Sequence, residues 1–462
     1  MEFELKNLGI LKCARIKLSD LTIICGKNNT GKTYATYTIY GFLSYWWEDY
    51  ELDLDTKIIN TLLETGTASI PISQIVKKAQ QYIDSACNKF NPIIKRVFSS
   101  NQETLSNATL KIQLSEGDIK PLEVYEQITG SDKINLFSIQ KELKSDNVII
   151  SLLVDRGSIK IPHRVLQRSI SFAVKKIIFK NTFPDPVILV AERTGIEIFQ
   201  AELDFARNRL LDILKESEGD FNPFEIFNKV NTDYALPINR AVDAVRRNRE
   251  IVKNQSFIQT EHSEIIQFFN EIIGGDIIYS KNIMYFVPSV NKRLKLKINE
   301  SSTSVRSLVD LAIYIKHLAK KGDLLMIDEP ELNLHPENQR KLMQLFALLI
   351  NAGIKIFTTT HSDYIVKELN NIKLISFLPE EKRIRFYQEY GYDKSQMLDK
   401  ADIAVYVASI KSILLNNNKR RTKCNTFEKA VMGPYGFELE SFDDTINIMN
   451  EIQDELLYGD YL

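Results

Sequence analysis

Gly26, Lys27, Asn28, Asn29, Thr30, Gly31, Lys32 and Thr33 match the pattern G-x-x-x-x-G-K-[ST] at every constrained position. Each residue type has a reason to be there. Glycines let backbone N–H groups wrap a row of phosphates, a lysine offers a mobile ammonium to the outer ones, and a hydroxyl after it can enter the shell of a Mg²⁺ ion. A second constellation lies almost three hundred residues away, where Leu324-Leu325-Met326-Ile327 runs into Asp328 and Glu329. An apolar strand that ends in paired acids suits phosphoryl transfer, with Asp328 in the metal shell and Glu329 polarising the attacking water. Together the two stretches predict binding and hydrolysis of ATP with Mg²⁺ as the companion ion.

The elements around these residues are those the chemistry needs. Leu21 to Ile24 reads as a buried strand entering the glycine loop, and the apolar and aromatic residues from Tyr34 to Tyr45 suit a buried helix leaving it. Further strands are expected at Phe3–Leu5, Ala14–Leu18, Leu110–Leu114, Val148–Leu153 and Val187–Ala191, with several more between Ile277 and Ile298. Helices are expected at Ile75–Phe98, Phe199–Glu216, Leu236–Val252, Ser304–Leu318 and Phe442–Leu457. The alternation of Leu324–Ile327, a helix and Ile354–Thr360 implies parallel strands, hence an α/β fold. Neither middle helix sustains enough heptads for a long coiled-coil arm.

Asp328-Glu329-Pro330-Glu331-Leu332-Asn333-Leu334-His335-Pro336 resembles the Walker B and D-loop segment of RecF-like, SMC-like and OLD-like ABC ATPases, and Thr359-Thr360-His361-Ser362 resembles their switch-histidine strand end. The resemblance implies an ABC-type P-loop ATPase head with a mostly helical insertion and a helical C-terminal segment. It implies that residues 1–40 and 275–400 form a split head joined by strand 187–193, with 41–274 inserted, mixed at first and then mainly helical, and 401–462 helical. It also implies that His361 meets the γ-phosphate and that two chains sandwich two ATP molecules. The signature region would be Ser301 to Leu308, with Ser302, Ser304 and Arg306 facing ATP held by the partner, although the usual glycines are missing. Glu192-Arg193 stands where such heads carry a metal-sensing glutamine, and either a coupling role or an ordinary buried salt bridge fits the pair.

A head of this length without its own nuclease resembles the ATPase subunits of bacterial antiphage systems such as PARIS, Septu and retron-associated modules. That implies a separate effector protein, a nuclease or toxin. The alternative is a RecF-like DNA-binding ATPase in repair. Basic clusters at Arg246-Arg247-Asn248-Arg249, Lys292 to Lys297 and Lys419 to Lys423 could meet nucleic-acid phosphates or simply be solvated.

Composition bounds the rest. In 462 residues, 59 Lys+Arg against 60 Asp+Glu leave a net charge of -1, so overall charge points to no polyanion or membrane partner. Cys13, Cys25, Cys87 and Cys424 are too scattered for a zinc site or a disulfide scaffold. With no secretory signal and no apolar run long enough to span a bilayer, the expectation is a cytoplasmic homo-oligomer with no membrane role.

Overall fold

The computed structural model describes residues 1–100, 103–115, 117–131, 134–153, 163–199, 234–281, 283–414, 421–437 and 440–458. Its centre is a nine-stranded sheet in the order Thr109–Gln113, Glu2–Leu8, Leu11–Lys17, Arg421–Lys429, Ile403–Leu414, Leu21–Gly26, Lys355–Thr360, Leu324–Asp328 and Pro186–Leu189. The five strands from Ile403–Leu414 to Pro186–Leu189 run parallel, while antiparallel pairing dominates the other end. The strand that feeds the glycine loop is therefore flanked on both sides within the parallel half. Its neighbour Lys355–Thr360 pairs in turn with the strand that ends at Asp328, so two remote stretches are brought to the same sheet end.

Strand Leu21–Gly26 is buried throughout. Successive side chains go to opposite faces: Ile24 joins the core that holds the aromatic helix, and Leu21, Ile23 and Cys25 join the other. Burial pushes the Cys25 thiol up to about 12, so the sulfur beside the loop is inert as a nucleophile.

The helix after the loop, Lys32–Glu48, is buried along most of its length. Phe42, Trp46 and Phe183 pack as one aromatic group, with Trp46 and Phe183 ring centroids 4.8 Å apart. Its far end is held by Lys175, whose ammonium donates to the carbonyls of Trp46 and Tyr50 and lies 5.8 Å from the Trp46 ring centroid. A cation there satisfies last-turn carbonyls and complements the helix dipole.

Burial holds the Lys175 ammonium down to about 8, against an ordinary 10.5. Between those values the unfolded chain binds a proton that the folded chain does not, so this group makes stability rise with pH. The stability of wild type relative to Lys175→Met is expected to increase from pH 8 to 10.5 by on the order of 2 kcal/mol. Denaturant melts of both proteins across that range check it; a difference that shrinks as pH rises contradicts the assignment.

Several expectations are corrected. Residues 401–462 are not a helical segment: Ile403–Leu414 and Arg421–Lys429 are strands of the main sheet, and helix begins only at Glu440. The run Ile403-Ala404-Val405-Tyr406-Val407-Ala408 is apolar and β-prone, which suits a position beside the loop strand. In its first part the stretch 41–274 mixes helix and strand. It supplies Thr109–Gln113 and Pro186–Leu189 to the main sheet and a four-stranded sheet of Thr67–Pro71, Asn147–Leu152, Ile134–Lys141 and Tyr125–Ser131. The helix expected over Ser304–Leu318 is three short pieces, Thr303–Ser307, Val309–Ile313 and a π turn at Tyr314–Leu318, with Ser302 as its N-cap. Most of the helix expected at Phe199–Glu216, and Lys419 and Arg420 of the last basic cluster, lie outside the described residues. No helix of the described residues is long and apolar enough to cross a membrane.

Candidate active site

The glycine loop is shaped by backbone that side chains resist. Gly26, Asn29 and Gly31 have φ of 135°, 58° and 96°. A Cβ at Gly26 would sit 2.7 Å from the Ala408 carbonyl oxygen, and one at Gly31 would sit 2.8 Å from Leu11 Cβ. Both glycines are thus required by close packing as well as by φ. Left-handed residues within such a turn make successive N–H groups converge, which is the geometry of an anion nest. Thr30 Oγ1 ties the loop by donating to the Lys27 carbonyl at 2.8 Å, while Lys27, Asn28 and Asn29 are exposed at the crest. The following helix starts at Lys32 and has Gly31 as its cap, so no side chain occupies its first N–H groups.

Lys32 is buried, and its ammonium donates to the carbonyls of Gly26 at 3.1 Å and Lys27 at 2.9 Å. Burial holds it below the ordinary lysine range, against the opposing pull of Glu329 and Asp328. A buried cation bonded to neutral carbonyls is set to receive an anion.

Next to it, Thr33 Oγ1 donates to Asp328 Oδ2 at 3.3 Å, joining the two remote motifs directly. Asp328 is 2 % exposed, and burial raises its carboxyl above the usual range. Thr359 Oγ1 donates to its other oxygen and accepts from the Glu329 N–H at 3.2 Å. Glu329 itself has φ +49°, a left-handed conformation that costs a non-glycine residue about 1 kcal/mol. Its carboxylate lies 3.3 Å from His361 Nε2, and that hydrogen bond holds Glu329 below the usual range. The His361 N–H donates to Glu331 Oε1 at 2.6 Å, fixing the histidine's strand end to the turn after Pro330.

The structure therefore brings Lys32, Thr33, Asp328, Glu329 and His361 together at one end of the sheet. Ser302, Ser304 and Arg306 are elsewhere in the bond network. Ser302 caps its helix and bonds Ser304 at 2.9 Å, and Arg306 donates to the Asn299 carbonyl and Thr303 Oγ1; among the described residues none of these bonds reaches the loop. Sequence reasoning named Thr359 and Glu331 only within their motifs and gave neither a role in the site. A Thr-Thr-Thr run ending a buried strand beside paired acids was the available signal for Thr359. Glu192 adds a further carboxylate to the Asp328 environment and accepts from Tyr37 OH at 3.5 Å. Among the described residues the hydrogen bonds of Arg193 run to carbonyl oxygens and to no carboxylate.

The residues fit a magnesium-bound nucleoside triphosphate: a nest and a cation for phosphates, and a hydroxyl beside a carboxylate for the ion. Fold and site residues define an α/β P-loop nucleotide-binding ATPase. The sequence matches the AAA ATPase domain family over residues 1–366, and the chain belongs to that family. No curated protein matches it. Among solved structures it is similar to the SMC head domain from Thermotoga maritima, at 11% identity and a TM-score of 0.31, covering 93% of this chain and 98% of that one. It is also similar to the Smc head domain with an extended coiled coil bound to the C-terminal domain of ScpA, derived from Pyrococcus furiosus, at 13% identity, a TM-score of 0.34 and 98% of both chains. Likenesses this distant carry no information about partners.

Proposed function

We propose that the protein hydrolyses ATP at this site and uses the cycle as a conformational switch of the ABC type. The observation that carries the reading is the 3.3 Å contact between Thr33 and Asp328, with Glu329 and His361 paired beside it. The loop N–H groups and Lys32 bind and orient the phosphates. Thr33 and Asp328 would hold Mg²⁺, which supplies Lewis-acid charge at the phosphoryl oxygens. Glu329 takes the proton of the water that attacks the terminal phosphorus while the β–γ bridging P–O bond breaks. His361 orients Glu329 and donates toward the outgoing phosphoryl group.

Losing one such donor typically costs about a hundredfold in turnover. His361→Ala is expected to show that loss with ATP affinity changed less than about threefold. Phosphate release and nucleotide titration measure the two quantities separately; a purely weakened affinity would remove the role.

In the dimeric form of this reading, two copies close around two ATP molecules, and Ser302, Ser304 and Arg306 of one copy face the nucleotide of the other. Support for this comes from the exposed capped start of that helix and from the ABC resemblance of the surrounding motifs. The switch then scaffolds or controls a separate effector, a nuclease or toxin, in bacterial antiphage defence. That role is supported by the resemblance of the 328–336 and 359–362 segments to OLD-like ATPases. Phage plating on cells that carry the chain with its neighbouring genes, with and without Lys32→Ala, tests it: equal plating removes the defence role.

A DNA-binding ATPase in repair is the second reading, favoured by the exposed basic loop holding Lys292, Arg293 and Lys295. It requires DNA affinity that falls steeply with salt.

A further inference from the structure

Arg193 is 2 % exposed, and its guanidinium is shared among three elements. Nε donates to the Ser307 carbonyl at 2.8 Å, one terminal nitrogen donates to the Val190 and Asp328 carbonyls at 3.0 Å, and the other donates to the Glu329 carbonyl at 3.0 Å. Val190 follows the edge strand, Asp328 ends the strand Leu324–Asp328 and Glu329 follows it, and Ser307 ends the helix capped by Ser302. The fold gathers these carbonyls from three separate stretches of chain onto one side chain; without it, they would be buried acceptors with fewer donors.

We infer that Arg193 is a positioning residue that locks the left-handed backbone of Glu329 and joins it mechanically to the Thr303–Ser307 helix. The inference rests on the reading of Glu329 as the water-activating base and adds to it the part that sets that base in place. Glu329 is held from two sides, through its N–H by Thr359 and through its carbonyl by Arg193. A non-glycine residue persists at positive φ only where its surroundings over-determine it. Because one planar cation bonds both the Glu329 and the Ser307 carbonyls, a displacement of the helix moves the backbone that aims the base. A signal arriving at Ser302 or Ser304 thus reaches the carboxylate without crossing the nucleotide.

Lysine cannot substitute. Its single ammonium on a flexible stem lacks the forked donors needed to span groups from three elements. Arg193→Ala would strand buried carbonyls and risk unfolding, so Arg193→Lys is the working variant, with Arg193→Gln as the second. In the full-length chain, turnover per nucleotide-bound, folded molecule is expected to fall about tenfold to a hundredfold in Arg193→Lys, while affinity for a non-hydrolysable ATP analogue stays within about threefold.

Hydrogen exchange reads the joint independently of activity: peptides covering 303–308 and 326–331 should both exchange at least about tenfold faster in the variant. Turnover within about threefold of wild type, affinity and turnover lost in equal proportion, or faster exchange in only one of the two peptides overturns the inference. A wild-type protein that hydrolyses no ATP would instead sink the functional reading, and the exchange result would still decide whether Arg193 forms the joint.

Discussion

Lys32→Ala loses nucleotide binding: the dissociation constant for ATP is expected to rise about a hundredfold, the equivalent of ~3 kcal/mol. Lys32 is buried and donates to the Gly26 and Lys27 carbonyls, which a triphosphate would displace with full negative charge. Burial already holds its ammonium below the ordinary lysine range, so the folded chain without ligand bears a desolvation penalty at this position. The same variant is therefore expected to melt no lower than wild type in the absence of nucleotide. Equilibrium titration with a fluorescent ATP analogue, together with a thermal melt, reads both quantities. Affinity within about threefold of wild type would show that the phosphates are not held by this loop.

Glu329→Gln should separate binding from turnover. Removing a general base typically costs about a hundredfold to ten-thousandfold in rate, and glutamine keeps the shape of the side chain and an acceptor oxygen for His361. ATP is expected to bind as it does to wild type while phosphate release falls by at least about a hundredfold. In the dimeric reading the variant accumulates as an ATP-bound pair, which light scattering would detect. Glu329 is well suited to the assignment because its carboxylate lies 3.3 Å from His361 Nε2 and is held in the charged form at neutral pH. Unchanged turnover would move the role of base to another carboxylate of the site, with Glu331 and Glu192 the candidates.

The chemistry of the site was legible because it is written in contiguous residues. Gly26 to Thr33 and Leu324 to Glu329 each carry their meaning within eight positions or fewer, and the strand on which each depends is an unbroken apolar run. The strand Ile403–Leu414 was as apolar at its start, yet the basic residues at 419–423 and the acidic amphipathic pattern after 442 drew the whole tail toward helix. Its correct reading needed the knowledge that the loop strand lacks a neighbour on one side, which is a property of the sheet and not of the segment.

Arg193 shows the deeper limit. An arginine after Ala191-Glu192 can be read as a salt-bridge partner, because side-chain charges are visible in sequence. Its actual partners are backbone carbonyls of Val190, Ser307, Asp328 and Glu329, and backbone acceptors carry no sequence signal at all. The broken helix at 303–318 was hidden for a similar reason. Its apolar residues recur at helical spacing after a serine cap, whereas the π turn at Tyr314–Leu318 sits in the second core, where Tyr314 and Ile315 are fully buried.

The most direct test of the account is a crystal structure of the protein grown with Mg²⁺ and a non-hydrolysable ATP analogue. Phosphates are expected within the backbone of residues 26–33, the ion on Thr33 and Asp328, and Glu329 facing the terminal phosphate. Nucleotide bound at any other site, or phosphates in the loop with the ion remote from Asp328, would contradict it.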